Sequence, residues 1–338
     1  MRAMKFSAVA LLGALVVGIS GCSSSDADEI ADGRVTTIDH KFGATTITGT
    51  PTRIVAADTQ WLDALLELGI QPVGYLAAGP MGDERGLFPW ESGVDASAKE
   101  LDRSAIQQFG VPLKAEEIAA LDPDLILGGF SVADQDDFDQ LSKIAPTIAG
   151  LSDVQVDPWQ DQVEILGRVL DKESRADEIV EATSGQIDAL AQRLPGLKGK
   201  TALLSQYVFP TSQLVIVADP KDGASGLFTS LGMSLPPKLV EEAGVTGGRL
   251  TLSPERVDAL SADVVVLLPN GGTLEDMMKL PGFADLPAVK SGGLAIVDYP
   301  TVAGLNTPSS LSLKYSLESI TPQLEAVRAV NKGAQQGV

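Results

Sequence analysis

A 15-residue segment of this chain occurs twice, with its two copies 139 residues apart. Residues 113–127 align without a gap to residues 252–266, and five of the 15 positions are identical: Leu113/Leu252, Glu116/Glu255, Ala120/Ala259, Leu121/Leu260 and Asp124/Asp263. Each copy has a carboxylate in the first turn of a predicted helix, where the helix dipole favours it, and then enters an apolar run typical of a buried strand. The repeat therefore predicts two α/β units of similar construction.

Short β-branched runs alternate with helical stretches from Arg34 onward, which is the pattern of parallel α/β units. A hairpin comes first, with predicted strands over 35–39 and 45–48. The segment 158–194 is predicted as one long helical stretch, with Asp171 as a candidate break point. The predicted organisation is an α/β lobe over 34–157, the helical connection over 158–194 and a second α/β lobe over 195–338.

The first 22 residues have the features of an export signal. Two basic residues precede an apolar run over 6–19 that is too short for a permanent membrane span. The sequence Ile19-Ser20-Gly21-Cys22 resembles the bacterial lipobox, in which the segment before the cysteine is removed and the thiol carries a diacylglycerol. We therefore predict a signal peptide over 1–21, lipidation at Cys22 and a flexible tether over 22–33. The alternative is an ordinary signal peptide with an incidental cysteine.

Composition excludes several classes of function. The chain has 25 basic and 45 acidic residues, a net charge of −20, and such a surface repels nucleic-acid backbones and anionic lipids. His40 is the only histidine and Cys22 the only cysteine, so a His/Cys zinc site, a His-based triad and an internal disulfide all lack their residues. No dinucleotide-binding, P-loop or G-x-S-x-G motif occurs. A hydrolase that uses only Asp and Glu stays open.

Several motifs along the chain together resemble the substrate-binding lipoproteins of iron–siderophore ABC importers. The lipobox and the β-rich entry, with its predicted strands over 35–39 and 45–48, are two of them. The others are Pro51-Thr-Arg53-Ile-Val before a short helix, Leu121-Asp-Pro-Asp124-Leu-Ile-Leu, Leu141-Ser-Lys-Ile-Ala-Pro146-Thr, Trp159 at the start of the long helix, and Leu252-Ser-Pro-Glu255 followed by Leu286-Pro-Ala-Val289. The matches follow the family's order over essentially the whole chain after the signal peptide.

The resemblance implies an α/β fold with two Rossmann-like lobes, joined by a single long helix, and a ligand cleft between the lobes. It implies a monomer without catalysis, resident cofactor or metal, held outside the cytoplasm by the lipid on Cys22. Such a protein captures a ferric siderophore and delivers it to the permease of an ABC importer. Family members dock onto permease arginines with one carboxylate from each lobe, and the matching positions here are Glu116 and Glu255.

Candidate ligand contacts come from predicted loops at strand ends. A ferric siderophore is a bulky chelate with an oxygen-rich iron shell, so aromatic faces and Arg or Asn side chains suit it. The candidates are Trp61, Arg85, Trp90, Arg103, Tyr207, Arg249, Tyr299 and Asn306. Family members for triply charged catecholates carry an arginine in the last strand–helix loop, where this chain has Asn306. That difference weakens a catecholate assignment and leaves hydroxamate and mixed siderophores open.

Other functions stay open on the sequence alone. The same fold serves for cobalamin or haem, although His40 lies in the predicted hairpin, far from the cleft, so haem would need tyrosine ligation. A secreted carboxylate-based hydrolase requires two acids about 5 to 10 Å apart in the cleft. A purely adhesive surface protein would have no closed cleft.

Overall fold

The computed structural model describes residues 33–101, 113–244 and 248–334. Its strands in chain order are β1 (Val35–His40), β2 (Gly43–Thr48), β3 (Ile54–Ala56), β4 (Gly74–Leu76), β5 (Lys99–Leu101), β6 (Leu125–Gly129), β7 (Thr147–Ala149), β8 (Ala202–Val208), β9 (Gln213–Val217), β10 (Arg249–Leu252), β11 (Val264–Asn270) and β12 (Leu294–Ile296). Its α-helices are α1 (Thr59–Glu67), α2 (Ala115–Ala119), α3 (Gln135–Leu141), α4 (Trp159–Val169), α5 (Glu173–Arg193), α6 (Gly223–Ser230), α7 (Pro237–Ala243), α8 (Leu274–Met277), α9 (Pro287–Ser291), α10 (Tyr299–Asn306) and α11 (Ser310–Ala334).

The N-terminal lobe is built on a parallel sheet with the strand order β5-β4-β3-β6-β7. Strands β3 and β6 are buried along their whole length, as expected for apolar strands with both faces covered. Successive side chains point to opposite faces, so Ile54 and Ala56 pack in one core and Val55 in the other.

The C-terminal lobe has a mixed sheet with the order β10-β9-β8-β11-β12. Strands β8, β11 and β12 are parallel, whereas β9 runs antiparallel to both of its neighbours. The prediction of two α/β lobes is therefore confirmed. Both sheets have five strands, and the antiparallel strand β9 is what distinguishes the second sheet from the purely parallel first one.

The repeated aspartate joins two strands in each lobe. In the first lobe, the carboxylate of Asp124 accepts hydrogen bonds from the backbone N–H groups of Thr52 and Arg53, both at 2.8 Å. In the second lobe, Asp263 accepts from the N–H of Thr201 at 2.9 Å and from the ammonium of Lys200 at 2.9 Å. Each carboxylate precedes the strand that begins one residue later and holds the chain just before the neighbouring strand. The identity at this position of the repeat thus has a structural cause.

The predicted long connecting helix is two helices in the structure, α4 and α5. Asp171, between them, has a φ of 57°, which an α-helix cannot accommodate. The helices pack closely beyond this point, since a Cβ built on Gly167 would lie 2.5 Å from the Cβ of Ala176. The guanidinium of Arg34, just before β1, donates hydrogen bonds to the carboxylates of Asp171 and Glu173. These bonds attach the β1–β2 hairpin to the chain at the point where α4 ends and α5 begins.

One hydrophobic core runs through both lobes. It contains Ile54 and Leu127 of the first sheet, Leu166 and Ile187 of the connecting helices and Leu204 of the second sheet. The outer face of each sheet has a core of its own. In the part of the chain that the structure describes, no helix is both long enough and apolar enough to span a membrane.

Candidate ligand-binding site between the lobes

A cavity of about 510 Å³ lies between the two lobes. The first lobe contributes Thr59, Met81 and Phe130, which follow the carboxyl ends of β3, β4 and β6, together with Phe88 from a longer loop. The carboxyl edge of a parallel sheet is the usual position of ligand sites in α/β proteins. Gln155, just before the connecting helices, also lines the cavity.

The second lobe contributes one face of its sheet and one helix. Gln206 on β8 is the cross-strand partner of Val215 on β9, and Val215 is in turn the partner of Thr251 on β10. All three side chains line the cavity, because residues in register on neighbouring strands share a face. Helix α10 closes the same side with Tyr299, Val302, Ala303 and Asn306.

The charge of Arg249 is compensated inside the site. Its guanidinium donates to both carboxylate oxygens of Asp222, at 3.2 and 3.3 Å, and to the side-chain oxygen of Asn306. The side chains of Arg249 and Asp222 are only 14% and 1% exposed. Burial lowers the pKa of Arg249, and burial raises the pKa of Asp222 against the opposing effect of the nearby guanidinium. Asp222 also caps α6 by accepting from the N–H of Ala224.

The remaining lining is aromatic, aliphatic or neutral polar. Phe88, Phe130 and Tyr299 supply aromatic rings, and Gln155, Gln206 and Asn270 supply amides. The amide of Asn270 lies 3.5 Å from the side-chain oxygen of Gln206. Among the described residues of the lining, Arg249 carries the only charged side chain. The surface suits a ligand that has both hydrophobic bulk and many hydrogen-bonding oxygens.

A polar junction lies where α1 meets the turn between α10 and α11. The hydroxyls of Thr59 and Thr307 are 3.3 Å apart, and the side-chain amide of Gln60 donates to the carbonyl of Pro308 at 2.8 Å. Asp63 accepts from the hydroxyl of Ser309. These contacts connect the lobes independently of α4 and α5.

Asp63 is the central titratable group of this junction. It is fully buried, and burial raises its pKa to about 7 although hydrogen bonds from Ser309 and from Trp90 oppose the shift. Burial also raises the pKa of the neighbouring Glu91 well above its ordinary value, and the charge of Asp63 adds to this shift.

Three predicted ligand contacts line the cavity together, namely Arg249, Tyr299 and Asn306. Two of the others do not line the cavity. Trp61 is fully buried in the core. Trp90 donates to Asp63 and stacks on Phe88, with 4.7 Å between ring centroids, so it lies behind the ring that lines the cavity.

The remaining predicted contacts lie elsewhere or outside the described residues. Arg85 donates to the carbonyls of Val94 and Asp95 and holds its own loop together. Tyr207 is the neighbour of Gln206 on β8 and therefore points to the opposite face of the sheet, where it is buried. Arg103 and Cys22 lie outside the described residues.

The two repeat carboxylates lie on equivalent parts of the two lobes. Glu116 is in the first turn of α2, which leads into β6, and Glu255 is in the first turn of a 3₁₀ segment, Pro254–Leu260, which leads into β11. Both residues are exposed. Each segment leads into a central strand of its sheet, β6 or β11, so the two carboxylates occupy corresponding positions in the two lobes.

Sequence reasoning missed the amides of Gln155, Gln206 and Asn270 in the lining and the acid that pairs with Arg249. Gln206 and Asn270 each interrupt or end an apolar strand run, which is the signal that was available. Among the described residues, no group of three or more His, Cys, Asp or Glu side chains forms a candidate metal site.

Two α/β lobes, a continuous core at their junction and a cavity between them define a two-lobed binding protein. Residues 105–300 match the model of the family described as "Periplasmic binding protein", which is more than half of the chain. The chain belongs to this family.

Curated relatives and solved structures agree with this assignment over most of the chain. The probable siderophore-binding lipoprotein YfiY of Bacillus subtilis is 26% identical over 322 residues, covering 88% of this chain and 92% of that protein. The Fe(3+)-citrate-binding protein YfmC of the same organism is 29% identical over 306 residues, covering 87% and 88%. The crystal structure of Streptococcus pneumoniae TIGR4 PiaA in complex with ferrichrome has a TM-score of 0.72 at 29% identity and covers 87% of this chain and 98% of that one.

Proposed function

We propose that this protein is a lipid-anchored, extracytoplasmic solute-binding protein that captures a ferric siderophore and delivers it to the permease of an ABC importer. The observation that carries the proposal is the cavity of about 510 Å³, lined from both lobes by aromatic rings and hydrogen-bonding amides. A chelate with an oxygen-rich shell around iron presents the surface that such a lining recognises. The relatives named for siderophore, Fe(3+)-citrate and ferrichrome binding support the same ligand class.

The competing hypothesis, a carboxylate-based hydrolase, requires a specific pair of residues in the same cavity. Glycoside hydrolysis by two carboxylates requires both of them beside the substrate, about 5 to 10 Å apart. The described residues of the cavity lining include no carboxylate, and Asp222 is held by Arg249 and the start of α6. A binding protein is the function that this lining supports.

The first test is a tryptophan-fluorescence titration of the mature chain from residue 22, carrying Cys22→Ser so that it stays in solution. The ligands are a ferric hydroxamate, a ferric catecholate, ferric citrate, haem and cobalamin. We expect sub-micromolar quenching by a ferric chelate, which corresponds to more than about 8 kcal/mol of binding free energy. Binding of haem or cobalamin alone would replace the proposed cargo, and no binding by any of the five would contradict the proposal.

A matched pair of variants tests whether the ligand occupies the cavity between the lobes. Ala303→Phe places a ring into the lining from α10 and is expected to weaken binding at least ten-fold, because the ring occupies the ligand's volume. Ala189→Phe makes the same change at an exposed position of α5 and serves as the control. Equal affinities of the two variants would move the binding site away from this cavity.

We propose that Glu116 and Glu255 are the carboxylates that dock onto the permease, one from each lobe. Both are exposed, both occupy the same position of the repeat, and both lie in the first turn of the segment that leads into a central strand of their lobe. Glu116→Ala and Glu255→Ala are expected to reduce uptake of the ferric chelate by cells while leaving its dissociation constant unchanged. Glu117→Ala, which removes the adjacent exposed acid of α2, is the control. A loss of chelate binding in either variant would contradict a docking role.

The proposed membrane attachment depends on Cys22 and has its own test. The wild-type chain is expected in the membrane fraction, with incorporation of labelled fatty acid, and Cys22→Ser is expected to lose the label. A labelled Cys22→Ser protein would contradict lipidation at this residue. The protein released from the membrane is expected to be a monomer, which sedimentation velocity measures directly.

A further inference from the structure

We propose that the cavity selects ferric chelates without net negative charge, such as neutral tris-hydroxamates, and discriminates against polyanionic catecholate and citrate complexes. This inference rests on the proposed function and specifies its substrate class. It would separate this chain from its Fe(3+)-citrate-binding relative.

Arg249, the only charged side chain in the described lining, is neutralised by its neighbours. Arg249 makes hydrogen bonds to both oxygens of Asp222 and to Asn306, so both terminal nitrogens of its guanidinium already have partners within the protein. Asp222 is 1% exposed and is also held at the start of α6 by the N–H of Ala224, at 2.9 Å. The acid cannot swing away without leaving the helix end uncapped. The pair therefore presents almost no net charge to a ligand.

Binding a multiply charged anion in such a site is unfavourable because the anion loses its hydration. A chelate that carries several negative charges loses its hydration on entering the cavity and must recover that free energy from cations or from many donors. The described lining offers amides, hydroxyls and rings, with the charge of Arg249 already compensated. A neutral chelate that exposes amide and hydroxamate oxygens loses far less hydration and can use the same amides directly.

The net charge of the whole chain also disfavours anionic ligands, independently of the cavity lining. Its net charge is −20 at pH 7, so the long-range field of the protein repels polyanions before they reach the site. A binding protein for a highly negative chelate would need a local positive patch to overcome this field.

The test compares dissociation constants of the mature chain carrying Cys22→Ser for three probes at one ionic strength. They are ferrichrome as a neutral tris-hydroxamate, a ferric tris-catecholate of charge −3 and ferric citrate. We expect ferrichrome to bind at least ten-fold more tightly than either anionic complex. Tighter binding of an anionic complex would overturn the inference and leave the proposed function intact. If none of the three complexes binds, and neither haem nor cobalamin binds, both the inference and the proposed function are overturned.

A variant then tests the compensated cation itself. Asp222→Asn keeps the side-chain shape and an oxygen for the cap, but frees the charge of Arg249 toward the cavity. We expect the preference for ferrichrome over the catecholate to fall about ten-fold, mainly through tighter catecholate binding. Asp285→Asn, an 81% exposed acid of the same lobe, controls for the change in net charge. An unchanged preference in folded Asp222→Asn protein would overturn the role of the pair. If that variant does not fold, the wild-type comparison of the three probes still decides the inference.

Discussion

Asp63 is a buried carboxylate whose proton is coupled to folding. Its pKa is raised to about 7 by burial, above the ordinary value near 3.9 that it regains in the unfolded chain. Between these two values the folded protein holds a proton that the unfolded chain releases. The free energy of unfolding therefore decreases as pH rises through this window. Asp58, whose pKa is raised to about 8 by burial, acts in the same direction.

Replacing Asp63 with Asn is expected to flatten this pH dependence. Asp63→Asn cannot take up the proton, so the fall in unfolding free energy between pH 5 and 7 should be smaller by up to about 1.4 kcal/mol per pH unit. Urea unfolding at several pH values measures the slope. Asp139→Asn, at an exposed site on α3, is the control and should keep the wild-type slope. A slope in Asp63→Asn equal to wild type would mean that this carboxylate is ionised in the folded state.

Gly129, at the end of β6, is required by two constraints at one position. Its φ is +48°, and a Cβ built there would lie 1.8 Å from a carboxylate oxygen of Asp58, which is buried. Gly129→Ala is expected to lower the free energy of unfolding by about 2–4 kcal/mol, because strain and a steric clash with a buried group add. Gly226→Ala, in α6 with no atom within 4 Å of its added Cβ, is expected to be neutral or stabilising. Similar denaturation midpoints for the two variants would contradict the close approach of Gly129 to the carboxylate of Asp58.

Single residues also show the limit of prediction from sequence. The chemistry of Arg249, Tyr299 and Asn306 and their position near strand ends predict ligand contacts, and all three share the cavity lining. The same reasoning predicts Tyr207, yet its neighbour Gln206 is the residue that lines the cavity. Both faces of this sheet are covered by apolar side chains, so alternation along β8 does not reveal which face meets the first lobe.

Each of the repeated aspartates, Asp124 and Asp263, is expected to stabilise the connection between two neighbouring strands. Asp263 connects the start of β11 to the chain before β8 through Thr201 and Lys200. Asp263→Ala is expected to cost about 1–3 kcal/mol of unfolding free energy, since it leaves a backbone N–H without its acceptor. Asp124→Ala should cost a similar amount, because it likewise frees the N–H groups of Thr52 and Arg53.

The two losses should also add in the double variant, because the sites lie in different sheets and share no partner among these bonds. Chemical denaturation of the two single variants and the double variant measures this. Asp258→Ala, an exposed acid close to the same strand, is the control. A loss below about 0.5 kcal/mol at either repeat position would contradict its structural role.

Helices and strands whose apolar residues recur with a strong period can be predicted from the sequence. The residues at which these elements begin and end are harder to predict. The hairpin, the strands of both repeat copies and the helical character of 158–194 follow from apolar spacing and turn residues. The division of that helical segment depends on the φ of Asp171 and on close packing at Gly167, which are properties of the folded chain. Helix α10 was not predicted, because its eight residues contain Pro300, Gly304 and few apolar repeats.

At the scale of the molecule, the two lobes are joined by more than the connecting helices. The core is continuous from the first sheet through α4 and α5 to the second, and α1 also contacts the α10–α11 turn. Two connections on different parts of the interface oppose a wide opening of the cavity. We therefore expect the lobes to unfold together, as one calorimetric transition.

The junction between α1 and α11 offers a direct test of this coupling. Ser309 is buried, its hydroxyl donates to Asp63, and it caps the start of α11 by accepting from the N–H of Ser312 at 3.0 Å. Ser309→Asp keeps a good helix cap but puts a second carboxylate against Asp63, whereas Ser309→Asn keeps both the cap and the size of that side chain without the charge.

Ser309→Asp is expected to be about 3–5 kcal/mol less stable than Ser309→Asn at pH 8, because two buried carboxylates repel each other. It should show a calorimetric enthalpy above the van't Hoff value, as the lobes melt apart. The difference between the variants should shrink below pH 7, where one shared proton removes the repulsion. If the two variants melt identically at pH 8, the contact with Asp63 does not couple the lobes, and α4 and α5 alone hold them together.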